Sequence, residues 1–90
     1  MDTTAEITGL NLGSKNLSDL ARVIGSDWKK VNFAAVPYLN AMFSLSTLND
    51  KYGCDDGRSI VAYFLANAQT WKGPIAKAIK SELNKRLKKH

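Results

Sequence analysis

The sequence predicts an all-α domain: a compact bundle of four to five short helices preceded by a flexible N-terminal arm. Three observations lead there. Apolar residues recur at three- and four-residue steps in successive segments, the spacing that places side chains on one helical face. Each segment is bounded by Asn, Asp, Gly or Pro at positions suited to starting or ending a helix. The longest apolar run, Ile60 to Ala66, contains Ala62 and Ala66, is followed by Ala68 and meets no Gly or Pro before Trp71, which favours helix over strand.

Residues 1–13 contain Gly9 and Gly13, several threonines and only a faint Leu10/Leu12 alternation. They read as a flexible arm or a short edge strand outside the core, with residues 14–90 forming one helical domain. Asn16 is placed to cap the first helix, with Asp19 three residues on. Leu17, Leu20, Ala21 and Ile24 form its stripe, and Gly25 suits a left-handed terminus. Ser26-Asp27 then offers a second N-terminus.

Trp28, Val31, Ala35, Tyr38, Met42 and Leu45 continue the helical period, interrupted by Pro37. A proline costs least near a helix start, so a short segment Ser26–Val31 followed by a longer helix capped by Asn32 fits best. Leu48 and Tyr52 extend its apolar face until Gly53, where a short loop Gly53-Cys54-Asp55 begins. Asp55 or Asp56 caps the third helix, Arg58 to Ala68. That helix is apolar nearly all round and is expected at the hub of the core. Pro74 stands at the first position of a fourth helix. There Ile75, Ala76, Ile79, Leu83 and Leu87 share one side, Lys77, Lys80, Asn84 and Lys88 the other, and Glu82 and Arg86 form an i,i+4 pair.

Ninety residues make one small domain, and 44% apolar with 23% charged content is that of a globular chain. The N-terminus lacks the apolar region of a signal peptide, and no run approaches the length of a membrane span. One cysteine, Cys54, forms no internal disulfide, so the chain reads as soluble and cytoplasmic, with no membrane partner.

Catalysis finds little support. The sole histidine is His90 at the very end, where a base is hard to hold near a nucleophile. Carboxylates beside Cys54 disfavour its thiolate. Asp50, Asp55 and Asp56 lack the spacing of a calcium loop, and helix capping explains them more simply. The glycines make no phosphate loop. The chain is expected to be no enzyme, with no metal, no cofactor and no small-molecule substrate.

Charge is the most uneven property. Lys72, Lys77, Lys80, Lys85, Arg86, Lys88 and Lys89 face one carboxylate, Glu82, in the last nineteen residues, against six cations and seven carboxylates before them. Cations late in the fourth helix complement its dipole, but Lys72, Lys77 and Lys80 stand at its start, where the dipole disfavours them. These seven residues form a candidate anion or nucleic-acid site, with Trp71 available to stack on a base. The third and fourth helices resemble no helix-turn-helix closely: Gln69 falls where a small residue is usual and Glu82 where an apolar one is. Trp28, Tyr38, Met42, Phe43, Tyr63 and Trp71 exceed what one stripe needs, Phe33 and Phe43 lie off the stripe, and Trp28, Phe33, Tyr38, Phe43 and Trp71 are the candidates for a protein interface. The expected function is therefore a non-enzymatic accessory protein that docks on a protein partner or forms a homodimer. The alternative is nucleic-acid binding through the basic C-terminal helix.

Overall fold

The computed structural model describes Leu12 and residues 15–88; the remainder of the N-terminal arm, Ser14, Lys89 and His90 lie outside the described residues. Among the described residues four α-helices follow one another: α1 (Leu17–Asp27), α2 (Val36–Met42), α3 (Gly57–Ala66) and α4 (Pro74–Lys88). A 3-10 turn at Phe33–Ala35 leads into α2, and a hairpin of β1 (Lys51–Tyr52) and β2 (Asp55–Asp56) precedes α3. The chain is thus mostly helical, as its periodicity predicts, with one small antiparallel sheet that the periodicity does not.

Local chemistry sets the helix starts. The Asn16 side chain accepts from the Asp19 N–H at 2.9 Å, while the Asp19 carboxylate turns to Arg22 at 3.4 Å instead of completing a reciprocal box. Two further N–H groups of α1, those of Leu17 and Ser18, donate to the carbonyls of Ser46 and Leu45. The 45–46 loop therefore satisfies donors that every helix start leaves open. Asn32 caps the 3-10 turn through the Ala34 N–H, and Pro37 falls in the first turn of α2, where its missing donor costs least. Asp56 caps α3 through the Ser59 N–H at 2.7 Å. That bond is the main cause holding its carboxyl below the ordinary range; Asp50, accepting from Ser46 and Thr47, is lowered likewise.

Three boundaries differ from expectation. Gly25 does not end α1, which runs on through Ser26 to Asp27. A Cβ at Gly25 would stand 3.8 Å from the Phe43 ring, so the glycine lies where another element packs. No helix forms over 28–31, and α2 ends at Met42, ten residues short of Tyr52. Leu45 still reaches the core, but through turns. At Gly53 the chain adopts a left-handed φ of 65°, closing a two-residue loop that pairs Lys51 with Asp56 and Tyr52 with Asp55.

Each helix packs chiefly on two others: α1 on α2 and α4, and α3 on α2 and α4. The third helix is accordingly a side of the bundle, not its hub. Ile60, Val61 and Phe64 point inward, whereas Ala62, Tyr63 and Ala66 are exposed. Phe64, Leu17, Leu20, Ile24, Met42, Leu45, Ile79 and Leu83 fill the centre. Leu12 joins them at 8% exposure, so the segment read as an arm contributes to the core at that residue.

Gly57 marks the tightest backbone contact. A Cβ there would lie 2.7 Å from the Thr47 carbonyl oxygen and 3.0 Å from Leu48 Cα. Bonds from the Gly57 and Arg58 N–H groups to the Asp50 and Leu48 carbonyls hold the two strands of chain at that distance. Backbone cannot swing aside as a side chain can, so Gly57→Ala is expected to cost about 2 kcal/mol. A urea titration matching the unsubstituted protein would show the approach to be looser.

Candidate interaction surfaces

The two tryptophans are internal, which corrects their assignment to an interface. The Trp28 and Trp71 rings stack 5.8 Å apart at 13°, and the Phe64 ring meets both edge-on. Trp71 is only 2% exposed, so its face is not available to a base. Its indole N–H donates to the Asp27 carboxylate at 2.8 Å, closing the α1 end onto the segment before α4. Ser26-Asp27 thus serves the aromatic cluster and not a new helix.

Lys80 belongs to the same cluster. Its ammonium donates to the Trp71 carbonyl at 2.6 Å and lies 5.8 Å over the ring. Burial lowers its pKa, and the Lys72 charge lowers it further. A shallow recess of about 290 Å³ opens beside it, lined by Trp71, Lys72, Gly73, Ala76, Lys77 and Lys80. Lys72, Lys77 and Lys80 do gather, as the sequence suggests, but Lys80 already has an acceptor within the fold.

Arg86 is likewise engaged. Its guanidinium donates to the Glu82 carboxylate at 2.6 Å and to the carbonyls of Leu12 and Lys15, each at 2.6 Å. The side chains of Arg86 and Glu82 are 18% and 11% exposed, so the pair is a clasp for the N-terminal segment, not part of a solvent face. Arg58 reaches the Leu87 carbonyl at 2.8 Å and caps the last turn of α4 from α3. Of the seven candidate cations, Lys72, Lys77, Lys85 and Lys88 are exposed. With Ser81 and Asn84, the last three make one outward stripe on α4.

A second surface is aromatic. Phe33 is 91% exposed on its capped turn. Tyr38 packs against Tyr63 with ring centroids 5.4 Å apart, and Tyr63 is itself 54% exposed. The Asn32 amide donates to the Asn67 carbonyl at 3.0 Å, and the Asn67 amide to the Tyr63 carbonyl at 2.9 Å. These bonds tie the turn that carries Phe33 to the end of α3. Phe43 and Tyr52 are exposed as well, Phe43 beside α1 and Tyr52 on the hairpin. Phe33 and Phe43 are exposed, in keeping with positions off the helix stripe, whereas Tyr38, on the stripe, is half-buried against the core. Tyr63, one of the aromatic residues in excess of a single stripe, lies on the outward side of α3.

Three of the described acidic side chains illustrate how carboxylates serve the fold. Asp50 accepts from the N–H groups of Ser46 and Thr47, Asp56 caps α3, and Asp27 holds an indole. Among the described residues, no three His, Cys, Asp or Glu side chains gather where a metal ion could sit. No described helix is long and apolar enough to cross a membrane. The α3–α4 connection spans residues 67–73, longer than the three- or four-residue turn of a helix-turn-helix. Comparison with family models, with curated proteins and with solved structures yields no match.

Proposed function

We propose that the protein is a small, non-enzymatic cytoplasmic interaction module. It docks on a protein partner, or on a second copy of itself, through the aromatic surface of Phe33, Tyr38 and Tyr63. The supporting observation is the 91% exposure of Phe33 on a turn held from both sides. Leaving such a ring in water forgoes about 2 kcal/mol of burial. Nothing in the fold compensates for that, whereas an interface would recover it. The Asn32 bonds also fix the turn before any partner arrives, which reduces the ordering cost of association. Aromatic anchors of this kind carry much of the energy in protein interfaces.

The test uses Phe33→Ser. Because the ring buries almost nothing, stability is expected to stay within about 0.5 kcal/mol of the unsubstituted protein, while association is lost. Light scattering across a concentration series reports self-association. A photo-crosslinking residue at position 33, compared with one at Arg22, reports a partner in the source cells. A strict monomer, with no product at position 33 beyond that at position 22, would sink the reading.

A further inference from the structure

The outward stripe of α4 has a chemistry of its own, independent of the aromatic surface. Lys77, Ser81, Asn84, Lys85 and Lys88 are all exposed, and at 100° per residue they fall within one sector opposite Ala76, Ile79 and Leu83. The one carboxylate of the helix, Glu82, is turned away from this sector and held by Arg86. The sector itself holds three lysines and no carboxylate, so the field leaving this face of the helix is cationic. The stacked indoles bring the 28–30 and 71–72 segments side by side, so Lys29, Lys30 and Lys72, all exposed, add to it near the start of α4.

From this arrangement we infer that the outer face of α4 binds the phosphate backbone of duplex nucleic acid, without reading its sequence. Lys77 and Lys88 are eleven residues apart, about 16 Å along a helix. Over that length a duplex presents about nine phosphate charges, both strands counted, and its major groove is wide enough to admit a helix. Ser81 adds a hydroxyl that donates to phosphate.

Two features of the face define what kind of polyanion it takes. Single-strand binders stack bases on exposed aromatic rings; Trp71, the ring nearest the start of this helix in sequence, is 2% exposed. Base reading by asparagine needs both amide donor and carbonyl acceptor, and the Asn84 amide already donates to the Lys80 carbonyl at 3.0 Å. An amphipathic helix lying in a membrane surface inserts apolar side chains beside its lysines, whereas Ala76, Ile79 and Leu83 are sealed in the core. Duplex phosphates remain the partner that fits.

Binding of the intact protein to a labelled random-sequence duplex, titrated with salt, tests this. Contacts from Lys72, Lys77, Lys85 and Lys88 predict a slope of log K against log salt of about −3.6, and an affinity loss on the order of 100-fold between about 50 and 200 mM. Lys77→Gln/Lys85→Gln is expected to make the slope shallower by about 1.8, and Lys85→Gln/Lys88→Gln should do the same should the first pair fold poorly. Arg22→Gln, on another helix, and Phe33→Ser leave it unchanged, which keeps this result separate from that for the aromatic surface. Absence of binding at about 50 mM salt, an unaltered slope in both double variants, or tighter binding to single strands or phosphatidylserine vesicles would overturn the assignment.

Discussion

Trp71→Ala is expected to lower the free energy of unfolding by about 4 kcal/mol. A chain of this length has a total stability on the order of 5 to 13 kcal/mol, so a large share of molecules unfold at warm temperatures. Several losses coincide at this position. The side chain is 2% exposed, so truncation opens a cavity among Trp28, Phe64 and Ala76. The parallel stack on Trp28 and the edge contact with Phe64 go with it, each worth about 1 kcal/mol beyond simple burial. Asp27 also loses the N–H that holds its carboxylate. Trp71→Phe separates these causes, because it keeps a ring in the cavity and removes the donor. Its expected cost is about 2 kcal/mol, from lost volume and one unmade hydrogen bond. Urea denaturation followed by circular dichroism measures both. An alanine variant within about 1 kcal/mol of the unsubstituted protein would mean that the indole cluster is not a centre of stability.

That cluster also shows where sequence reasoning stops. Asn16, Asn32, Asp56 and Pro74 were legible as helix starts because capping is decided within three or four residues. The Asp27–Trp71 bond joins positions 44 apart, and no local pattern announces it. Gly25 suits a helix end, yet the helix runs on to Asp27, whose carboxylate is engaged by the Trp71 indole. The hairpin escaped for a different reason. Two-residue strands are too short to show alternation, and Leu48 and Tyr52 happen to extend a helical period. Only the left-handed Gly53 carried a turn signal. Among the candidate binding residues, charge density was readable but charge availability was not. Lys80 and Arg86 look like their neighbours in sequence, and each is committed to backbone carbonyls that only the tertiary fold brings within reach.

Arg86 makes that distinction measurable. Arg86→Ala is expected to cost about 3 kcal/mol, because it strands the Glu82 carboxylate at 11% exposure and leaves the Leu12 and Lys15 carbonyls without their shared donor. Arg86→Lys should recover little, since an ammonium is a point charge and cannot reproduce a planar fork that serves three acceptors. Most of the loss comes from the uncompensated carboxylate, so Glu82→Gln/Arg86→Met should be more stable than Arg86→Ala alone. A double-mutant cycle by urea denaturation tests this. Additive effects at the two positions would show that the pair is not a coupled clasp. The duplex titration provides an independent control. Arg86 removes as much formal charge as Lys85 does, but it faces the N-terminal segment and not the outer stripe. Arg86→Met should therefore leave the salt slope near −3.6, about 0.9 steeper than Lys85→Gln. The two variants differ in where the lost charge stood, and that placement, not the number of basic residues near the C-terminus, is what binding should follow.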